Sequence, residues 1–346
     1  MYEIEYLAVG DGEKSGEAIA LRFTSTADGS IVTGVIDAGF TDTGPELVNH
    51  IIRHYGSDWV DFVLSTHPDS DHINGMGYVM RNLRVGNLLI HRPAQHGYPD
   101  NSGARPAEEL VKLADAQGSS VMEPFAGVNG WGDAFLIAGP AEEHYEQMLA
   151  EQEETTKAEG RKLSFAERYF GESAVKTVRT LAERALANFP VEIPFDHAGG
   201  TNPRNNSSAI LSLMVDSQHL LFPGDAGVPA INEAMDFLDG RERTKNYPAF
   251  FGLPHHGSRH NLDLDTIQRV LGPHTNNHYG SAYVSVSAES DLPSPRIANA
   301  AGRRGYRVYK TDGSGYIRHS SPDAPHRPGL KPLTPLPPLE EDDHDD

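Results

Sequence analysis

A short run of ionisable residues constrains this chain more than any other feature of its sequence. In the stretch THPDSDHI (residues 66–73), two histidines and two aspartates follow closely on the apolar run VDFVL. The apolar run predicts a buried strand, and charged groups at its end are costly to bury unless they are paired or bound to a metal. The sequence therefore predicts either a solvated polar turn or part of a metal site.

The candidate ligands in this stretch are His67, Asp69, Asp71 and His72. A tight turn after a strand can aim such side chains into one small volume, and hard or borderline cations bind that mixture of nitrogen and oxygen donors. The alternative is that the aspartates cap a helix that begins near Ile73. We favour the metal site, because a metal accounts for the histidines as well as for the aspartates.

Two later stretches carry similar groups at the ends of predicted strands. LLFPGDAG places Asp225 after an apolar strand and a glycine turn, and FFGLPHHGS places His255 and His256 at the end of another strand. Taken singly, Asp225 is explained as a turn residue and the two histidines as polar loop residues. Three such clusters are better explained by one shared site.

The composition narrows the chemistry of that site. The chain has no cysteine, which excludes disulfides, thiolate metal ligands and a cysteine nucleophile, so any metal must be held by histidine and carboxylate. The formal net charge of −20 argues against a broadly basic surface for nucleic acid. We see neither a signal peptide nor an apolar run long enough to span a membrane, and therefore expect a cytoplasmic protein without a membrane partner.

The order of the predicted elements indicates an α/β domain with many short strands. Strands dominate the first forty residues, and helices are predicted over 42–56, 103–118 and 229–239. Residues 141–195 contain a run rich in Glu, Ala, Lys and Leu that predicts a helical insertion, which we expect to cap the cleft or to meet a partner protein. The Pro-rich and acidic residues 321–346 are expected to form a disordered tail.

The order of five motifs resembles the metallo-β-lactamase fold superfamily, in particular its ComEC-type branch. These motifs are VIDAG, THPDSDHINGM, NNSSAILSL, LLFPGD and LPHHGS, and they fall within residues 1–320, which we take as one domain. The resemblance implies an αββα sandwich with a dinuclear site at one edge of its two sheets. It also implies two divalent metal ions, zinc or manganese, as cofactors.

The resemblance implies a role for each matching residue. His67 and Asp69 belong to the first metal, Asp71 and His72 to the second, and Asp225 bridges both. One residue of the pair His255/His256 completes the second site and the other faces substrate, and the sequence leaves both assignments open. Asp37 in VIDAG orients the ligands, although without the resemblance a turn aspartate is an equally good interpretation.

The chain also departs from the familiar pattern of this superfamily. Asp69 stands where histidine is more common, so the first site is richer in oxygen and favours Mn²⁺ without excluding Zn²⁺. A further first-site histidine has no clear match. The candidates for its place are Asn205 or Asn206 in the Asn-Ser segment 205–208, His197 and His91. A first metal that is weakly held or absent is the alternative.

The function expected from this site is metal-dependent hydrolysis. A hydroxide bridging the metals attacks phosphorus or a carbonyl carbon, Asp71 positions it, and the free histidine of the pair assists the leaving group. Ser258, Asn206 and Ser207 are candidates to contact substrate or support the ligands.

The resemblance implies a phosphodiesterase or nuclease. The charge of −20 favours a small phosphodiester or single-stranded nucleic acid as substrate. Candidate phosphate contacts are Arg303, Arg304, Arg307 and Lys310, which are otherwise solvated positions at a helix end and on a strand. The alternatives are a hydrolase of lactones, thioesters or lactams, and a metal-binding regulatory module without catalysis.

Overall fold

Two β-sheets packed face to face form the centre of the molecule. The structure is a computed structural model that describes residues 1–166, 200–311, 313 and 315–339. Within these ranges each sheet has seven strands. The first sheet contains β1 (Tyr2–Leu7), β2 (Ala18–Thr24), β3 (Ile31–Ala38), β4 (Trp59–Leu64), β5 (Arg84–Leu89), β6 (Ser120–Met122) and β14 (Tyr316–Ser320). The second contains β7 (Asn129–Gly130), β8 (Phe135–Gly139), β9 (Ile210–Val215), β10 (Gln218–Phe222), β11 (Phe250–Gly252), β12 (Gly280–Val284) and β13 (Tyr306–Lys310).

The two sheets are built alike. The strand order is β14-β1-β2-β3-β4-β5-β6 in the first and β13-β12-β11-β10-β9-β8-β7 in the second. In each sheet, four neighbouring strands run parallel, β3 to β6 in the first and β10 to β13 in the second, and the others pair antiparallel. Because the carboxyl ends of parallel strands meet at one edge, the loops after β3, β4, β10 and β11 share an edge of the sandwich.

Helices cover the outer faces of both sheets. Those beside the first sheet are α1 (Thr43–Tyr55), α2 (Ser70–Ile73), α3 (Met76–Asn82) and α4 (Ala104–Gln117). Those beside the second are α7 (Val228–Gly240), α8 (Leu264–Leu271) and α9 (Pro295–Arg303). Between β8 and β9 lie α5 (Glu142–Ala166) and α6 (Pro203–Asn206). This layer order confirms the predicted αββα sandwich.

The apolar residues sort into three layers that follow from the periodicity of the sequence. One cluster fills the space between the sheets and includes Phe23, Phe62 and Phe250, which are fully buried. The other two lie between each sheet and its helices. In α1 the buried Leu47 and Ile51 are four residues apart, so they share the helix face that packs on the first sheet.

The two segments expected to lie outside the sandwich are only partly described. Of the predicted insertion 141–195, residues 142–166 are helical, and the remainder, with His197 nearby, lies outside the described residues. The role expected for this insertion and the domain boundary at residue 320 stay predictions. No helix of the described chain combines the length and the apolar character needed to cross a membrane.

The described part of the C-terminal segment differs from the disorder expected after residue 320. Up to residue 339 it lies against the sandwich. Arg327 is buried and its Nε donates to Glu5 Oε1 at 3.2 Å, and the backbone N–H of Leu336 donates to Val308 O at 2.8 Å. The apolar side chains of Leu333, Leu336 and Leu339 pack against the buried clusters. The Pro-rich and acidic composition of this segment did not reveal the apolar and ionic contacts that attach it to the sandwich.

Candidate metal centre

The stretch THPDSDHI forms a turn that leads into a short helix at the carboxyl end of β4. The helix α2 is anchored by backbone bonds from His72 N and Ile73 N to Asp69 O at 3.0 and 2.9 Å. Asp69 occupies the N-cap position, but its side chain makes no capping hydrogen bond. Helix capping therefore does not explain this carboxylate, which leaves it free for other contacts.

Asp37, at the end of β3, holds this turn from below. Its Oδ1 accepts from the backbone N–H of Thr66 at 2.8 Å, and its Oδ2 accepts from Thr66 Oγ1 at 2.5 Å and from His72 Nδ1 at 2.7 Å. Asp37 is fully buried and has a left-handed backbone (φ 52°), a conformation that costs energy for a residue other than glycine. Its oxygens are thus occupied by orienting the neighbouring side chains.

The hydrogen bonds of three histidines fix which ring nitrogen carries the proton. His72 Nδ1 faces the carboxylate of Asp37, and His256 Nδ1 lies 2.9 Å from the carbonyl oxygen of Ser285, so both must donate. Thr66 Oγ1 gives its proton to Asp37 and accepts from His67 Nδ1 at 3.1 Å. Each ring, when neutral, therefore presents an unprotonated Nε2.

These three Nε2 atoms are buried and lack a hydrogen-bond partner among the described residues. They belong to His67, His72 and His256. Buried polar atoms are normally paired, so three orphaned atoms in one place call for an explanation. A cation that accepts their lone pairs supplies one.

The distances between the Nε2 atoms and nearby carboxylate oxygens fit the same explanation. His67 Nε2 lies 3.6 Å from both Asp69 Oδ2 and Asp225 Oδ2, and His72 Nε2 lies 3.5 Å from Asp225 Oδ2. These separations are too long for direct hydrogen bonds. Two ligands about 2.1 Å from one tetrahedral ion lie about 3.4 Å apart, so the donors are spaced as ligands of a divalent cation.

The donors fall into two sets that share Asp225. In the second set, Asp71, His72 and His256 offer ligand atoms that all lie within 4.8 Å of one another. In the first set, His67 faces Asp69. Asp225 Oδ2 lies close to the histidine of each set, and its side chain is almost fully buried. Asp37, His67 and His72 also come within 4.8 Å, but the oxygens of Asp37 are already accepting hydrogen bonds.

The structure gives different surroundings to His255 and His256, whose roles the sequence left open. His256 is buried, and its Nε2 lies 3.6 Å from Asp71 Oδ2. His255 is 36% exposed, and its Nε2 lies 3.8 Å from Asp225 Oδ2. Both residues have left-handed backbones, with φ of 49° and 55°, a strained conformation typical of functional turns. His256 thus lies among the donors, and His255 lies at the mouth of the site.

Two glycines allow the loops to approach so closely. Gly75, two residues after the helix α2, lies where a Cβ atom would come within 2.0 Å of Ala38 O, so the turn packs directly on the end of β3. Gly224, just before Asp225, has a φ of 55°, which glycine adopts without strain. The motifs HING and FPGD therefore contain their glycines for steric reasons.

The charges of the cluster perturb one another. Burial alone raises the pKa of Asp225, but His72, His255 and His67 outweigh it and hold that pKa well below its usual range. Burial lowers the pKa of His72, yet Asp225 and Asp37 raise it well above its ordinary value. Burial also raises the pKa of Glu17 to about 8. Carboxylates and histidines here are thus strongly coupled, as in many functional sites.

Sequence reasoning missed two residues that touch the cluster. Arg204 Nη1 donates to Asp69 Oδ1 at 2.6 Å, and its Nη2 contacts Ser102 Oγ. Asn261 is fully buried; its Nδ2 donates to Asp225 O at 2.7 Å and its Oδ1 accepts from His255 Nδ1 at 2.9 Å. The one available signal for Arg204 was its position beside the Asn-Ser segment.

Other predicted residues have local partners. Asn206 Oδ1 accepts from Gly227 N at 3.1 Å, Ser207 Oγ donates to Arg204 O at 2.7 Å, and Ser258 Oγ accepts from His260 N at 3.3 Å. Their roles toward substrate stay predictions. Of the four predicted phosphate contacts, Arg304 is buried, and its Nη1 donates to Ala300 O at 3.0 Å.

Comparison with known proteins gives remote similarities of fold. No protein-family profile matches the chain, and no curated protein matches it. The chain is similar to a metallo-β-lactamase-like protein from Thermotoga maritima, with 14% identity over 39% of this chain and 65% of that one (TM-score 0.28). It is also similar to a diphosphatase of the PhnP family, with 12% identity over 93% and 98% of the two chains (TM-score 0.39). A third similarity is to a metallo-β-lactamase from Cronobacter sakazakii mutated in its HARLDQ motif, with 12% identity over 70% and 73% (TM-score 0.32).

Proposed function

We propose that this protein is a metal-dependent phosphodiesterase. The observation that carries the proposal is the convergence of three buried Nε2 atoms, none with a hydrogen-bond partner among the described residues, with three aspartates at distances of 3.5–3.8 Å. A hydrolytic site without a metal would not require the Nε2 atoms of three buried histidines to lack hydrogen-bond partners. Divalent ions, zinc or manganese, match the mixture of imidazole and carboxylate donors.

The chain's own residues divide the work at such a site. His67, Asp69 and Asp225 would hold the first ion, and Asp71, His72, His256 and Asp225 would hold the second. Such ions would supply Lewis-acid activation of water and of the scissile group. Asp71, whose side chain is 27% exposed, is placed to accept a proton, and Asp37 holds His72 in its ligating orientation.

The groups at the mouth of the site favour a phosphodiester over a carbonyl substrate. Arg204 brings a guanidinium to Asp69, and the positive charge of that group would attract phosphate oxygens. His255 is exposed beside Asp225, where its ring can contact a leaving group. The net charge of −20 disfavours long duplex DNA, so the proposed substrates are small phosphodiesters or single-stranded nucleic acid.

The test is turnover of bis-p-nitrophenyl phosphate by protein reconstituted with Mn²⁺ or Zn²⁺. We expect metal-dependent hydrolysis that falls at least about 100-fold in His72→Ala. The matched control is His326→Ala, which removes an exposed histidine of the C-terminal segment and should leave turnover unchanged. Bound metal with hydrolysis of a lactone or thioester but not of the diester would show that the substrate class is wrong. Full diester turnover in His72→Ala would overturn the proposed site.

A further inference from the structure

The two donor sets are unequal in the side chains that belong to each alone. The second set has Asp71, His72 and His256, besides the shared Asp225. The first set has only His67 and Asp69 besides the same Asp225. The sequence left several candidates for a further first-site donor, and the structure distinguishes among those that it describes.

Two of the candidates are poorly suited to this position. Asn206 Oδ1 already accepts a hydrogen bond from Gly227 N at 3.1 Å. His91 stacks on Tyr145, with 4.3 Å between the ring centroids. Both buried ring nitrogens of His91 lack a hydrogen-bond partner among the described residues, but neither lies within 4.0 Å of a carboxylate oxygen of Asp69 or Asp225, whereas His67 Nε2 lies 3.6 Å from both.

Asn205 differs from Asn206 in having a buried side-chain oxygen without a hydrogen-bond partner. Its side chain is 1% exposed, and its Oδ1 accepts no hydrogen bond from any described residue. Its backbone is satisfied, because its N–H donates to Asn202 Oδ1 at 2.9 Å and its carbonyl accepts from Ser208 N at 2.9 Å. An orphaned amide oxygen in an otherwise well-bonded turn is costly and is explained by a ligand.

The residues on either side of Asn205 contact both aspartates of the first set. The preceding residue, Arg204, donates to Asp69, and Ser208 Oγ accepts from the backbone N–H of Asp225 at 3.3 Å. Asn205 Nδ2 lies 3.5 Å from both ring nitrogens of His255, whose Nε2 is 3.8 Å from Asp225 Oδ2. The Asn205 amide thus lies in a segment whose neighbouring residues contact the carboxylate of Asp69 and the backbone of Asp225.

We infer that Asn205 Oδ1 is a ligand of the first metal, and that this oxygen makes the first position selective for a hard cation such as Mn²⁺. The inference rests on the proposed function, because it requires the metal site. With Asn205 the first set offers one imidazole, two carboxylates and an amide oxygen, whereas the second offers two imidazoles and two carboxylates. Oxygen donors suit Mn²⁺ and imidazoles suit Zn²⁺, so the two positions differ in preference.

The experiment is equilibrium dialysis of the full chain against Mn²⁺ alone and against Zn²⁺ alone, followed by elemental analysis. In the wild type we expect two Mn²⁺ per chain and a spin-coupled pair in the electron paramagnetic resonance spectrum. Asn205→Ala should lower the affinity for one of the two Mn²⁺ ions at least about tenfold. Its electron paramagnetic resonance spectrum should then be that of an isolated Mn²⁺ ion. Asn205→His should raise the Zn²⁺ affinity of that position and lower its Mn²⁺ affinity, each at least about tenfold.

A matched control and a conservative variant keep the test decisive. Asn82→Ala, which removes an exposed asparagine on α3, should leave both affinities unchanged. Asn205→Asp keeps the oxygen and should bind Mn²⁺ at least as tightly as the wild type, which remains informative if the alanine variant fails to fold. Mn²⁺ and Zn²⁺ affinities within twofold of wild type in both the histidine and the alanine variants would overturn the role of Asn205. A wild type that binds no metal at all would instead overturn the proposed function.

Discussion

In the described part of the chain, two clusters of buried ionisable residues, one around β1 and one at the candidate metal centre, are satisfied in different ways. In the network around β1, His50 Nε2 lies 2.8 Å from Glu5 Oε2, and Arg22 Nε lies 2.9 Å from Glu3 Oε2. In the metal centre, the closest contact between an Nε2 atom and a carboxylate oxygen is 3.5 Å. The carboxylates of the first group are in direct contact with its cations, whereas the Nε2 atoms of the second group lie beyond hydrogen-bond distance from its carboxylates.

The difference follows from the cations that each group contains. The network around β1 includes the guanidinium groups of Arg22, Arg318 and Arg327, which stay charged and fit carboxylates directly. In the candidate metal centre, one guanidinium, that of Arg204, contacts Asp69, and the Nε2 atoms of three histidines lie 3.5–3.8 Å from the carboxylates. Buried carboxylates require a compensating cation, and a divalent ion among these donors would supply it. The two groups are both buried, so burial does not distinguish a ligand site from an ion-pair network. The distances between nitrogen and carboxylate oxygen atoms, and the histidine nitrogens without hydrogen-bond partners, do distinguish them.

Removing the shared carboxylate should have the largest effect on the metal centre. In Asp225→Ala, both donor sets lose a member, so we expect metal content near zero and diester turnover at background. Elemental analysis and the bis-p-nitrophenyl phosphate assay measure these quantities. The control Asp115→Ala removes an exposed aspartate of α4 and should change neither. Two tightly bound ions in Asp225→Ala would mean that the two sets do not share this residue.

Removing a cation from the other group should affect stability alone. Arg327→Ala leaves Glu3 and Glu5 buried with less compensation, which typically costs about 3–5 kcal/mol in the free energy of unfolding. Denaturant titration measures the loss, and metal content per folded chain should stay at the wild-type value. A parallel loss of bound metal would show that the two groups are coupled and would break the comparison.

Asp37 should act on metal affinity through the histidine it orients. Asp37→Asn keeps the shape of the side chain but weakens the hydrogen bond that its Oδ2 accepts from His72 Nδ1. We therefore expect the metal affinity to fall about 10–100-fold, with a smaller change in the free energy of unfolding. Competition with a chromophoric chelator gives the affinity. Unchanged affinity would assign Asp37 to the architecture of the turn only.

The smallest expected effect is the acid dependence of the network around β1. Burial raises the pKa of Glu5, but His50, Tyr55 and Arg327 outweigh it and lower that pKa below its ordinary value of 4.5. The stabilisation is therefore present above pH 4.5 and is lost as the pH falls through the lower, folded-state pKa. Unfolding free energies measured between pH 6 and pH 3 should fall less steeply in Glu5→Gln, by at most about 1.4 kcal/mol per pH unit. Equal slopes would remove Glu5 from the acid response.

The part of the candidate site that lies at the ends of strands could be predicted from the sequence. THPDSDHI, FPGD and PHHGS each follow an apolar strand, and the carboxyl ends of parallel strands meet, so the meeting of Asp71, Asp225 and His256 could be predicted. Contacts between distant segments could not. Arg204 and Asp69 are 135 residues apart, and Arg327 and Glu5 are 322 apart, with no periodicity that links them. The choice between His255 and His256 depends on a left-handed turn that the residue types do not specify.

The most direct test of the metal centre is an anomalous difference map from crystals grown with Mn²⁺ and, separately, with Zn²⁺. Our account predicts two anomalous peaks, one bounded by His67, Asp69 and Asp225, the other by Asp71, His72, His256 and Asp225. Each peak should lie about 2.0–2.2 Å from the histidine Nε2 atoms. Featureless maps with the three rings hydrogen-bonded directly to the aspartates would contradict it.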